Sequence, residues 1–141
     1  LFAQARLSPV LLGQIAAAAA HVNDSEYILK VRAEYTHRRN VLVELLNGIP
    51  GVICPKPKGA FYCAVELPVD DTDKFAQWLL ESYYHNNETI MVAPMSGFYS
   101  NPELGKKQVR IAYVLNETDL RRSVELLSDA LHKYKIEFGL N

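Results

Sequence analysis

The sequence predicts a two-layer α/β (α+β) sandwich, a small mixed or antiparallel sheet with helices on one side, preceded by a long connector helix. Three observations carry that expectation. The hydrophobic patterning runs helix, long helix, strand pair, helix, strand, strand, helix, an order that suits a sheet covered on one face. The 141 residues are 49% hydrophobic, enough to bury roughly two-thirds of the unfolded surface around one core. No glycine-rich GxGxxG turn joins a strand to a helix and no GxxxxGKS or GxxxxGKT stretch occurs, which removes the familiar nucleotide folds.

Ser8 and Pro9 open the first helix, because serine caps a helix and proline is preorganised at its first position. Val10, Leu11, Leu12, Ile15 and the alanines Ala16 to Ala20 continue it, and side chains this small predict close packing, either on the body of the domain or on a partner. Asn23, Asp24 and Ser25 supply caps for a long amphipathic helix over 26–46, with Ile28, Val31, Tyr35, Val41, Leu42, Leu45 and Leu46 as its apolar stripe. Its His37-Arg38-Arg39 run reads as a solvated or inter-element salt-bridge surface. Gly48, Pro50 and Gly51 stop it.

Val52-Ile53-Cys54 and residues 60–67 then read as a strand pair around a Pro/Lys/Gly loop. Pro68 ends the pair, Asp70 to Asp73 bring capping chemistry, and Phe75, Trp78, Leu79 and Leu80 mark a third helix through about Tyr84. Thr89 to Ala93 reads as a short buried strand. Residues 94–107 form a Gly/Pro/Ser/Asn-rich loop long enough to point to function, and 108–115 a strong strand. Asn116 and Thr118 open the last helix, with Leu120, Val124, Leu127, Leu131 and Tyr134 facing inward.

Composition excludes several function classes. Fifteen Lys and Arg against 16 Asp and Glu leave a net charge of −1 and a pI near 6.5, so no broad positive field gathers nucleic acid or an anionic membrane. The apolar run from Val10 to Val22 is broken by Gly13, Gln14 and His21 and is shorter than the roughly 20 residues that span a bilayer. Cys54 and Cys63 form no CxxC pattern and read as buried thiols in a reducing compartment, with a cytoplasmic location expected. His21, His37, His85 and His132 are dispersed, which satisfies neither a metal site nor a catalytic triad. Lys30, Lys56, Lys58, Lys74, Lys106, Lys107, Lys133 and Lys135 fall in polar loops or on helix faces, where the lowered pKa of a Schiff-base lysine is hard to achieve. The chain opens Leu1-Phe2-Ala3 without Met in mid-pattern, so it is expected to be a piece of a longer protein.

One charged residue stands out. Alternation along Val109-Arg110-Ile111-Ala112-Tyr113-Val114 sets Arg110 on one face with Ala112 and Val114, in an otherwise apolar strand. A planar guanidinium with five donors suits a carboxylate bidentately. Arg110 therefore holds either a structural acid, for which Glu66 on another strand is available, or the carboxylate of a ligand. The loop Ala93-Pro94-Met95-Ser96-Gly97-Phe98-Tyr99 could line a substrate mouth or complete the core, and Lys58-Gly59-Ala60-Phe61 is similar in kind.

Ala5-Arg6-Leu7-Ser8-Pro9 with Gly13-Gln14, Arg38-Arg39, Gly51-Val52, Lys58-Gly59-Ala60-Phe61-Tyr62, Ala93-Pro94 with Gly97-Phe98-Tyr99, and Val109-Arg110-Ile111-Ala112-Tyr113, taken together in order and spacing, resemble the C-terminal part of class I (fold type I) pyridoxal-phosphate aminotransferases. The match spans essentially the whole chain, and the nearest likeness is to the bacterial enzymes that act on aspartate.

That resemblance implies the small domain of a transaminase, with residues 1–24 adjoining a large domain and 25–141 forming the small domain itself. It implies that Arg110 grips the substrate α-carboxylate, that Phe61, Gly97 and Phe98 approach the same cleft, and that the domain closes the active site. It further implies pyridoxal 5′-phosphate held mainly by the large domain, amino-acid and 2-oxo-acid substrates, a homodimer and a place in amino-acid metabolism. The catalytic lysine and the cofactor ligands would lie upstream, so this chain alone is expected to be inactive, with no catalytic, cofactor-binding or metal-binding residue of its own. A noncatalytic carboxylate- or amino-acid-binding module is the alternative from the residues alone, and a purely structural Arg110–Glu66 pair is the third.

Overall fold

The structure, a computed structural model, describes residues 10–22 and 25–140; the helix start expected at Ser8-Pro9 and the caps expected at Asn23 and Asp24 lie outside them. The chain divides into two compact units, Leu1–Glu34 and Tyr35–Asn141. In the first, helix α1 covers Leu11–Val22, and helix α2, Ser25–Asn47, begins there and continues into the second. Ala16 to Ala20 are exposed, as are Leu11, Leu12 and Ile15. Ile28, expected in the buried stripe of α2, is 57% exposed; the stripe is buried at Val41, Leu42 and Leu46, where the second unit supplies a core.

The second unit continues with β1 (Tyr62–Glu66), α3 (Thr72–Glu81), β2 (Ala93–Pro94), two 3₁₀ turns (Ser96–Phe98 and Pro102–Gly105), β3 (Gln108–Ala112) and α4 (Glu117–Phe138). The sheet order is β1-β3-β2 with both pairings antiparallel. Cys63, Val65 and Val109 turn one face toward a core shared with Leu42 and Leu46 of α2, Phe75 and Leu79 of α3, and Leu120, Val124, Leu127, Leu131 and Tyr134 of α4. The other face carries Tyr62, Ala64, Glu66, Arg110 and Ala112, all exposed. This is the expected sandwich, with its helices on one side.

Local chemistry fixes the element ends. Asp71 caps α3 by accepting from the Asp73 and Lys74 amides at 2.9 and 3.3 Å, and Asn116 caps α4 by accepting from the Asp119 amide at 2.9 Å. Each such cap contributes about 1 kcal/mol. Gly139, with φ of 64°, ends α4 in the left-handed conformation that glycine adopts without a Cβ penalty.

Two strand expectations are corrected. Residues 52–54 do not form a strand: one bridge, Ile53 to Glu66, is made at 3.0 and 2.9 Å, after which the Asn47 side-chain amide donates to the Cys54 carbonyl and accepts from its N–H, both at 2.9 Å. A side chain has taken the place of the next ladder bonds. Residues 89–92 are not strand either, and Met91 is 82% exposed. A turn with Asn86 and Asn87 at φ of 53° and 63° precedes them, and the Thr89 hydroxyl donates to the Leu79 carbonyl at 2.7 Å, tying this segment to the end of α3. The ladder therefore forms only at Ala93 and Pro94.

Cys54 and Cys63 are free and buried, and the Cys63 thiol donates to the Ile111 carbonyl at 3.6 Å. The neighbouring Cys54, and then burial, push the Cys63 thiol up, so it stays protonated in the core. The charged run on α2 does join elements: His37 meets Glu117 of α4 at 2.7 Å, Arg38 donates to the Val114 carbonyl, and Arg39 donates to the Pro57 carbonyl at 3.2 Å.

A second polar cluster ties the end of α3 to α4. Asp129 pairs with Lys133 at 2.8 Å, accepts from the Tyr83 hydroxyl at 2.9 Å and meets the His85 ring at 3.1 Å. Lys133, the largest influence, with Tyr83 and His85, holds the Asp129 carboxyl down at about 2. A carboxyl whose folded pKa is depressed stabilises the fold above its unfolded value, near 3.9, and that contribution is lost as pH falls through the folded value. Asp129→Asn is therefore expected to lower the unfolding midpoint at pH 7, with the gap to the parent protein narrowing as pH falls from about 4 toward 2. Thermal unfolding of both proteins across that range checks this, and a gap that is constant with pH would contradict it.

Candidate functional site

The open face of the sheet presents a cation among aromatic rings. Arg110 lies on the central strand, with Ala64 across from it on β1 and Ala93 on β2. Both neighbours are alanine, so the long side chain has room above them. Its guanidinium carbon lies 5.3 Å from the ring centroid of Tyr62 and 5.1 Å from that of Phe98. Contacts of this kind contribute about 0.5–1 kcal/mol each at exposed positions.

The structural alternative for Arg110 is not realised. Glu66 stands across from Gln108, two residues along the ladder from Arg110, both Glu66 and Arg110 are exposed, and no ion pair joins them. Among the described residues the guanidinium touches rings, not carboxylates. Arg110 also lines a hollow of about 570 Å³ bounded by Ile90, Val92, Ile111, Leu120 and Val124, an apolar space beside an exposed cation.

Phe61 and Phe98 come from two different connections. Phe61 is 53% exposed just ahead of β1 and sets its ring edge-on to Tyr62 at 5.5 Å, so it reaches Arg110 through Tyr62. Ahead of it Ala60 takes φ of 61°, a left-handed conformation unusual for a residue with a Cβ, and the Tyr113 hydroxyl donates to its carbonyl at 2.8 Å.

Phe98 ends the first 3₁₀ turn, which is fixed on several sides. The Met95 amide donates to the Gln108 carbonyl at 2.9 Å, Ser96 Oγ donates to Asp73 Oδ2 at 2.6 Å, and Tyr99 Oη donates to Gln108 Oε1 at 2.7 Å. The second turn presses against this one: a Cβ on Gly105 would lie 2.4 Å from the Met95 carbonyl oxygen. Gly97 sits mid-turn in open space, where a Cβ would meet nothing within 4 Å. The sequence reading missed Tyr62 as a contact of Arg110. Its signal is the strand register, which places Tyr62 and Arg110 on one face, and register is not readable from either strand alone.

The family model for aminotransferase class I and II matches residues 3–127. This chain belongs to that family. It is 33% identical to an aspartate aminotransferase of Bacillus subtilis (strain 168) over 135 residues, 91% of this chain and 30% of that protein. It is 36% identical to an aspartate aminotransferase of Rhizobium meliloti over 141 aligned positions, 90% of this chain and 32% of that protein. Among solved structures, an aromatic aminotransferase from Pyrococcus horikoshii OT3 superposes with a TM-score of 0.69 at 28% identity, covering 84% of this chain and 31% of that one. The chain thus spans about a third of the length of the relatives it matches.

The chain carries eight lysines. All eight are exposed or half-buried in solvated settings. Lys30, Lys74, Lys106 and Lys133 are paired with Glu26, Asp70, Glu103 and Asp129. No group of three metal-ligating side chains occurs among the described residues, and none of their helices is long and apolar enough to cross a membrane.

Proposed function

We propose that this chain is the small domain of a pyridoxal-phosphate-dependent aminotransferase and that Arg110 receives the α-carboxylate of the substrate. One observation carries the reading: an exposed arginine on the central strand rests on two rings and, among the described residues, is matched by no carboxylate. Its donors suit a carboxylate supplied by a ligand, and two parallel N–H···O bonds would fix both the position and the plane of that group. Phe61, Gly97 and Phe98 belong to the same binding region, and closing this domain over the site would exclude water from the carboxylate pair.

The whole protein, on this reading, passes an amino group from an L-amino acid to a 2-oxo acid, with aspartate as the favoured donor from likeness to its relatives. When bound, the cofactor supplies an electron sink that the side chains here lack. Residues 1–24 adjoin the large domain and 25–141 form the small one. The full-length protein is a cytoplasmic homodimer, its cofactor is held mainly outside this chain, and the chain alone does not transaminate.

The test is to reduce the full-length protein with borohydride in the presence of pyridoxal phosphate and map the modified peptide. The expected result is the cofactor's mass on a lysine outside residues 1–141, with no label on this chain expressed alone. Specific labelling of a lysine within the chain would overturn the division of labour. A natural protein of this size that binds amino acids without any cofactor would favour the noncatalytic module.

A further inference from the structure

Arg110 can serve a carboxylate only if its guanidinium waits in one place. An exposed arginine has four side-chain torsions and much rotamer entropy to lose, so a wandering head would weaken binding even with the charge intact. Among the described residues no carboxylate holds it, and the contacts it makes are with rings. Tyr62 stands at the start of β1 across from Ala112, on the same face as Arg110 and one diagonal step from it. That step is within reach of aromatic and long side chains. Tyr62 is in turn backed edge-on by Phe61, and Phe98 is carried on the turn braced by Gln108, Asp73 and Gly105.

We propose that Tyr62, together with Phe98, is a positioning residue that holds the Arg110 guanidinium where it meets the substrate carboxylate. The inference rests on the carboxylate role given to Arg110 above. A ring attracts a cation through its π face and leaves the N–H donors available, so Tyr62 can restrain the guanidinium without competing with the carboxylate for hydrogen bonds. The ring is the working part; the Tyr62 hydroxyl is not required.

The test uses the full-length holoenzyme with L-aspartate and a 2-oxo acid, comparing Tyr62→Leu, Tyr62→Phe and Arg110→Lys. Leucine fills the space without a π face and guards against a loss of folding that Tyr62→Ala could bring. Tyr62→Leu is expected to raise KM for the amino donor about fivefold to tenfold, with a smaller change in kcat. Tyr62→Phe is expected to restore KM to within about threefold of the parent, a rescue that packing alone would not give if leucine packs as well. If Arg110→Lys raises KM strongly and Tyr62→Leu matches Tyr62→Phe, the positioning role is wrong and the carboxylate role stands. If Arg110→Lys leaves KM unchanged, the carboxylate role itself has failed.

Discussion

Arg110→Lys in the full-length protein is expected to lower kcat/KM for the amino donor roughly a hundredfold, through a higher KM and a lower kcat. A hydrogen bond to a charged group is worth about 1.5–3 kcal/mol, and lysine keeps the charge but gives up the planar fork that makes two such bonds at once. Losing one bond and the alignment of the other amounts to roughly 2–3 kcal/mol, and every 1.36 kcal/mol is a factor of ten. Stability is expected to change by less than about 1 kcal/mol, because Arg110 is exposed, forms no ion pair among the described residues, and lysine keeps a cation for the two rings. Steady-state kinetics and thermal unfolding on the same preparation separate the two effects. A large loss of stability with unchanged kinetics would return Arg110 to a structural role.

The largest loss of stability is expected from Phe75→Ala. Phe75 is fully buried on α3, edge-on to Tyr134 of α4 at 5.0 Å and stacked on Trp78 at 6.1 Å. Removing such a ring costs about 3–5 kcal/mol, part of it for the cavity left behind. Phe75→Leu, which keeps most of the volume, is expected to lose less than half as much. Denaturant unfolding followed by circular dichroism measures both, and a loss under about 1 kcal/mol for the alanine variant would mean that this aromatic cluster does not hold α3 to α4.

Legibility differed by element for physical reasons. The inward positions of α4 were readable because five apolar residues at helical spacing have only one face on which to lie, and all five are buried. The caps at Asp71 and Asn116 were readable because their chemistry is local. Residues 52–54 and 89–92 misled because strand pairing is a tertiary matter: an asparagine side chain took the ladder bonds in one case, and a threonine tied the chain to a helix end in the other. Arg110 was conspicuous as a charge in an apolar strand, and alternation grouped it correctly with Ala112. It could not say that this face is the open one, nor that Tyr62 and Phe98 would come to it from two other segments.

The central claim, that Arg110 reads the α-carboxylate, is tested most directly by a cycle between protein and ligand. Binding of an amino-acid donor and of its α-carboxamide is measured for the full-length parent protein and for Arg110→Lys. The account predicts that the parent prefers the carboxylate over the amide about a hundredfold and that the variant loses most of that preference. A variant that discriminates as strongly as the parent would show that the carboxylate is read elsewhere.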